Sequence, residues 1–251
     1  MSPVDASPEG TWPDRTGPDR TDVVRVARIL AETLAEGPGR RTACWVQGCS
    51  IRCPGCFNPG YLPADGGELL TVDALTERVL APHTDGLTLL GGEPMDQAGP
   101  LAVVAARVRA AGRSVMTFTG FTLERLHRLV AAGRDDVAAL LAATDVLVDG
   151  PYLADRPDRR RPWIGSTNQR FHVLGPRLGD LSGLLATPER VEVRVSTRGE
   201  VSVNGWADVS ALELLLDQTL PMPDQDPSDQ DPSGQDPPTP HPETSWKPLA
   251  R

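Results

Sequence analysis

The chain has 251 residues and a formal charge of −9, but residues 23–218 carry 23 acids against 21 arginines, so most of that charge lies in the two ends. No basic field suited to nucleic acid or an anionic membrane emerges from so even a balance. No run approaches the ~18 apolar residues of a membrane span and the N-terminus lacks a basic region ahead of an apolar one, so a cytoplasmic protein is expected, and there clustered cysteines point to metal or redox chemistry before disulfides.

In chain order, residues 1–22 and 219–251 are polar and proline-rich, the latter with a five-residue repeat (QDPSD, QDPSG, QDPPT) from Gln225. Neither can bury enough apolar surface to offset chain entropy, so both are expected to be disordered tails around one folded domain, 23–218. Strands are predicted at 23–31 and 42–47 around the turn EGPGRR, residues 36–41, and a helix at 71–80 capped by Thr71. A short strand at 86–90 runs into GGEP (91–94), and a helix follows at 97–111. A strand at 114–119, helices at 122–130 and 136–143, and strands at 145–148 and 169–174 come next. RVEVRVSTRGEVSV, residues 190–203, alternates on both sides of a turn and predicts a hairpin, and a last helix is expected at 209–216. Strands and helices alternate at the pace of βαβ units. That predicts an α/β fold with mostly parallel strands and an active site at their carboxyl ends, where the cysteine loop, GGEP, TGF (119–121) and DGPY (149–152) all fall.

Cys49, Cys53 and Cys56 stand within eight residues, and Cys44 is the only other cysteine. A structural zinc site would want four ligands, commonly as two separated pairs, and Cys44 would have to be the fourth. Ordinary buried cysteines would not bunch in a polar loop with glycine and proline. A third reading is a [4Fe-4S] cluster held by three thiolates, which leaves one iron open to a substrate or cofactor.

CxxxCxxC after an early strand, with GGEP after the next, resembles the radical S-adenosylmethionine superfamily. GPGRRT (37–42), WVQGCSIRCPGCFNP (45–59) and TGFTLERL (119–126) are similar to its glycyl-radical-enzyme activases. DVLVDG (145–150) and IGSTNQ (164–169) fit the subgroup that serves the anaerobic ribonucleotide reductase. The resemblance runs from about residue 36 to 169 and implies a partial (β/α) barrel with Cys49, Cys53 and Cys56 as cluster ligands. It also implies S-adenosyl-L-methionine bound at the open iron beside Gly55, Cys56, Phe57, Gly91, Gly92 and Glu93. One electron from the reduced cluster would split the cofactor into methionine and a 5′-deoxyadenosyl radical, which would take a hydrogen atom from a glycine of a partner enzyme. With no second cysteine set for an accessory cluster, an external donor such as flavodoxin is implied.

Single residues carry open alternatives. The glycine pair 91–92 lets backbone approach a ligand closely, and Glu93 either accepts from the cofactor's ammonium or braces the loop. Phe57 packs on the cluster, on adenine or merely on protein, while Gly55 stands where many superfamily members carry an aromatic, so the adenine contact is expected from backbone. Asp149 either meets the cofactor ribose or is structural; Ser166, Thr167 and Asn168 either bind the methionyl carboxylate or shape a turn. Arg156, Arg159, Arg160 and Arg161 dock a partner or are simply solvated, and His83, His127 and His172 are assigned no chemistry. The chain beyond Ser182 departs from the family pattern. A radical enzyme acting on a small molecule or peptide, like the carboxy-deazaguanine synthases, is the enzymatic rival; an iron–sulfur electron carrier or sensor is the non-enzymatic one.

Overall fold

The computed structural model describes residues 22–187, 191–199 and 201–205. The helix expected at 209–216 and, apart from Asp22, both tails lie outside the described residues.

Among the described residues nine strands and five α-helices follow one another as β1 (Val23–Thr33), β2 (Arg41–Val46), β3 (Glu68–Thr71), α1 (Val72–Leu80), β4 (Gly86–Gly91), α2 (Ala98–Ala110), β5 (Ser114–Phe118), α3 (Leu123–Ala131), α4 (Asp135–Ala142), β6 (Val146–Asp149), β7 (Arg170–Val173), α5 (Leu181–Leu185), β8 (Val191–Val195) and β9 (Val201–Gly205). Among the described residues seven strands form one sheet in the order β3-β1-β2-β4-β5-β6-β7, and β8 and β9 form a second, two-stranded one. The four central strands β2, β4, β5 and β6 are parallel, whereas β1, β3 and β7 join antiparallel at the flanks. The expectation of mostly parallel strands therefore holds for the centre. β3 was not expected, because a four-residue ELLT offers too little alternation and reads as the lead-in to the next helix.

Period-two alternation sorts the central strands onto two faces. Cys44, Val46, Leu87, Leu89, Val115 and Leu147 face one core, into which α1 to α4 send Leu75, Leu101, Leu126 and Leu140, all fully buried. Met116, Val146 and Val148 face the other way, onto Trp163, Ile164 and Leu184. Helices thus cover one face and irregular chain with α5 covers the other. Local chemistry sets the helix starts: Thr71 accepts from the Ala74 N–H at 3.1 Å, and Thr122 accepts from the Arg125 N–H at 3.3 Å, each supplying an acceptor to an unpaired first-turn amide.

The β8–β9 hairpin docks on the end of β1. Glu192 accepts from the Thr33 hydroxyl at 2.7 Å and from the Leu34 N–H at 2.6 Å, and Arg194 donates to the Glu32 carbonyl. Among the described residues no helix is long and apolar enough to cross a membrane.

Candidate functional site

Because β2, β4, β5 and β6 run parallel, the loops that follow them emerge at one edge of the sheet. Val46 is in register with Gly91 and Phe118 with Val148, so the cysteine loop, GGEP, TGF and DGPY begin side by side. The loop after β2 is closed at its base by the Gly48 N–H to the Tyr61 carbonyl (2.8 Å) and the Cys49 N–H to the Leu62 carbonyl (3.2 Å). It is stitched to its neighbour by the Gly92 N–H to the Val46 carbonyl (2.8 Å) and the Glu93 N–H to the Gly48 carbonyl (2.9 Å).

Close approach explains both glycines of GGEP. A β-carbon at Gly91, where φ is +108°, would lie 2.6 Å from the Val46 nitrogen, and one at Gly92 would lie 2.1 Å from the Gly48 carbonyl oxygen. What they admit in this structure is protein, the end of β2 at Gly91 and the backbone of the cysteine loop at Gly92, an approach that side chains would block.

Glu93 is buried, and its carboxylate spans two loops. Oε1 accepts from the Met95 N–H and the Thr119 hydroxyl, and Oε2 accepts from the Gly120 N–H, each at 2.8 Å. These bonds brace GGEP against the TGF loop. Burial, and then the neighbouring Asp96, push the Glu93 carboxyl above the ordinary carboxylate range. Asp96 clamps the cysteine loop directly: Oδ2 accepts from the Ser50 N–H at 2.7 Å and Oδ1 from the Ser50 hydroxyl at 2.9 Å.

Cys49, Cys53 and Cys56 are half-buried and unbridged, whereas Cys44 is fully buried on β2. Cys44 belongs to the helix-side core with Val46 and Leu89, and burial pushes its thiol up to about 12. It lies in an apolar core, away from the loop that carries the other three cysteines. Among the described residues no three His, Cys, Asp or Glu side chains gather as a group able to hold a metal ion. Each of the three loop sulfurs, however, faces backbone N–H donors. Cys49 faces those of Ile51 and Arg52, Cys53 that of Tyr152, and Cys56 that of Asn58 at 3.4 Å.

Left-handed backbone at Gly48 (φ +95°), Arg52 (+52°) and Gly55 (+72°) winds the loop. The side-chain-bearing Arg52 is in a region that such residues rarely enter. Burial, followed by the Glu93 charge, pushes the Cys49 thiol up to about 12. Thiols this hard to ionise alone become thiolates when a metal takes the proton's place, and N–H donors aimed at sulfur stabilise the ligated form. The donor set fits an iron–sulfur cluster.

The far wall is aromatic. Phe57 lies 4.3 Å from Tyr152, centroid to centroid, at 46°. Gly165 gives them room: a β-carbon there would sit 3.1 Å from Tyr152 Cδ2 and 3.2 Å from Phe57 Cε2. Gln169 holds this turn, accepting from the Gly165 and Ser166 N–H groups at 2.9 and 3.1 Å and donating to the Gly150 carbonyl at 3.0 Å. Ser166 Oγ accepts from the Leu153 N–H, and Asn168 donates to the Pro151 carbonyl at 2.7 Å, which are turn-shaping roles. Among the described residues of this wall, the buried oxygens Asn58 Oδ1 and Asn168 Oδ1 have no hydrogen-bond partner.

Asp149 is structural here. Its buried carboxylate accepts from the Leu123 N–H (2.6 Å) and from Arg170 (2.5 Å). Arg161 is likewise tied down, to Asp158 at 2.7 Å and the Gln169 carbonyl at 2.8 Å, while Arg156 and Arg160 are exposed. Sequence reasoning gave no individual role to Ser50, Thr119, Tyr152 and Gln169, although each stands in a segment it singled out, and it passed over Asp96. The only hint for Asp96 was an acid two residues beyond the proline of GGEP.

The family described as "4Fe-4S single cluster domain" matches residues 35–172, which span the whole cysteine loop and every other loop at this edge. Similar proteins include the anaerobic ribonucleoside-triphosphate reductase-activating proteins of Vibrio cholerae (32% identical over 149 residues, 55% of this chain and 91% of that one) and Escherichia coli K12 (30% over 151, 56% and 93%). The protein of that name from Enterobacteria phage T4 is 31% identical over 154 residues, covering 57% of this chain and 90% of its own. The chain belongs to this family of single-cluster activating proteins.

Proposed function

We propose that the protein is a radical S-adenosylmethionine enzyme that generates a glycyl radical on a partner enzyme, an anaerobic ribonucleotide reductase. Cys49, Cys53 and Cys56 would hold a [4Fe-4S] cluster, leaving one iron for S-adenosylmethionine. The observation that carries this reading is a single loop of three half-buried thiols, with backbone donors facing each sulfur, stitched to GGEP at the carboxyl ends of parallel strands. The names of the relatives support the choice of partner. The four parallel strands with helices on one face are in keeping with a partial (β/α) barrel, and residues 23–218 would form the radical domain.

When bound, the cluster and S-adenosylmethionine supply the electron and the 5′-deoxyadenosyl group that takes the glycine's hydrogen atom. The chain's own residues hold and enclose. Gly91 and Gly92 keep the cofactor side of GGEP level with the cysteine loop, and Glu93 fixes it to the TGF loop. Phe57 and Tyr152 offer an apolar wall, and Gly55 leaves backbone free for adenine. The unpartnered oxygens of Asn58 and Asn168 are acceptors suited to the cofactor's ammonium or hydroxyl donors, since a buried acceptor left unpaired costs about 1–3 kcal/mol. An external one-electron donor such as flavodoxin, in the cytoplasm, completes the scheme.

Anaerobic reconstitution with iron and sulfide, then reductant and S-adenosylmethionine, tests it. A brown chromophore is expected, and 5′-deoxyadenosine should form together with a glycyl radical on the partner only when that partner is present. Turnover without any protein partner would move the reading to a small-molecule radical enzyme. A protein that takes up zinc alone to full occupancy would end the cluster assignment.

A further inference from the structure

Ser50 follows Cys49 directly, and both of its hydrogen-bond donors end on one side chain. Its N–H reaches Asp96 Oδ2 at 2.7 Å and its hydroxyl reaches Oδ1 at 2.9 Å. Asp96 is itself fixed, because its N–H donates to the Glu93 carbonyl at 3.1 Å and the Glu93 N–H donates to the Gly48 carbonyl at 2.9 Å. Residues 48 and 50 are therefore held at three points by residues 93–96, with Cys49 between them. Such bonds to a charged acceptor are the stronger kind and set orientation as well as distance. The Asp96 carboxylate is also close enough to act electrostatically on the Cys49 sulfur. Glu93 and Arg134 lie within the same electrostatic reach, the latter already engaged by Asp136 at 2.8 Å.

We propose that Asp96 is a positioning residue for the cluster: it sets the place of the Cys49 sulfur through Ser50 and keeps a negative charge beside it that lowers the cluster's reduction potential. The inference rests on the cluster reading above. Its physical basis is that net charge and hydrogen bonding around the sulfurs tune such potentials. The orientation effect acts through Ser50, and the charge effect acts through space, so the two are separable.

Asp96→Asn separates them. The amide oxygen still accepts from the Ser50 N–H and the amide nitrogen donates to the Ser50 hydroxyl, so the clamp survives while the charge is lost. In the reconstituted full-length protein, iron content should match wild type. The ratio of reduced to oxidised cluster at a fixed donor potential should rise three- to tenfold, tenfold being about 59 mV for one electron. Ser50→Ala keeps the charge and removes one arm. It should leave that ratio within twofold but alter the electron paramagnetic resonance signature of the reduced cluster and hasten iron loss to a chelator. A reduced fraction unchanged in Asp96→Asn, or a wild-type signature and chelation rate in Ser50→Ala, overturns the inference. Failure of the cluster reading looks different: Cys49→Ala, Cys53→Ala and Cys56→Ala would then all retain wild-type iron, and both proposals would fall together.

Discussion

Gly92 and Gly48 meet backbone to backbone, so closely that a β-carbon on Gly92 would lie 2.1 Å from the Gly48 carbonyl oxygen and 2.9 Å from that of Tyr61. No side-chain rotation relieves such a contact. Gly92→Ala must therefore push the cysteine loop away from GGEP and break the Glu93 N–H bond to Gly48. A cost of ~1–3 kcal/mol is expected, with iron retained per chain falling by at least half after reconstitution. Gly60→Ala is the control, since nothing lies within 4 Å of a β-carbon there. Equal iron content and melting temperature in the two variants would show that the loops can separate freely.

Cys44 and the three loop cysteines should part company on mutation. Cys44→Ala removes one sulfur from a packed core and should cost ~1 kcal/mol, leaving the brown chromophore and cofactor cleavage intact. Alanine at Cys49, Cys53 or Cys56 should abolish cleavage with little change in melting temperature of the metal-free protein, because all three are half-exposed. Loss of iron from Cys44→Ala, measured by absorbance and metal analysis, would bring back a four-thiol site.

Much of this was legible from the chain alone, for identifiable reasons. Alternation and glycine punctuation located the central strands, and Thr71 announced α1 because an N-cap is a local device. The cysteine spacing and GGEP were legible because they are short, contiguous segments. What escaped was long-range. Ser50 and Asp96 are 46 residues apart in sequence and meet only because β2 and β4 are neighbours. The bracing by Glu93 likewise depends on β5 lying beside β4. Arg41 reads as part of a polar turn, since the second of two arginines after Gly-Pro-Gly gives no local sign of burial.

That arginine yields a third expectation. Arg41 is fully buried at the start of β2, the end of the strand opposite the cysteine loop. Its guanidinium donates to Thr88 Oγ1 at 2.6 Å, the Leu87 carbonyl at 2.6 Å and Ser114 Oγ at 2.9 Å. Burial lowers its pKa to about 10, with Asp85 and Asp145 opposing the shift, so the group stays charged near neutrality. Gly37 and Gly86 make room for it, because β-carbons there would lie 2.6 and 2.7 Å from its side chain. EGPGRR is thus scaffold at the far end of the sheet. Arg41→Met would leave several buried oxygens unpaired and should cost ~2–4 kcal/mol, read as a lower denaturation midpoint. A loss below ~1 kcal/mol would mean that water replaces the guanidinium.

Glu36, where the hairpin meets the sheet, predicts a pH dependence. The residue keeps some surface, yet its carboxyl is enclosed, and burial raises its pKa from 4.5 to about 7. Arg28, Asn204 and the Gly205 N–H oppose that rise, while Glu192 adds to it. The sign follows from proton counting. Below pH 4.5 the group is protonated in both states and carries no penalty. Between 4.5 and 7 the unfolded chain releases the proton and the folded one keeps it, so its contribution falls as pH rises. Above 7 the penalty is constant, on the order of 3 kcal/mol for a shift of this size. Glu36→Gln keeps an acceptor for Asn204 and cannot ionise. It should match wild type at pH 4.5 and exceed it by ~2–3 kcal/mol at pH 8 in urea unfolding monitored by tryptophan fluorescence. The same difference at both pH values would mean that Glu36 is not the group being titrated, and a less stable variant at pH 8 would mean that its carboxylate is held by Arg28 after all.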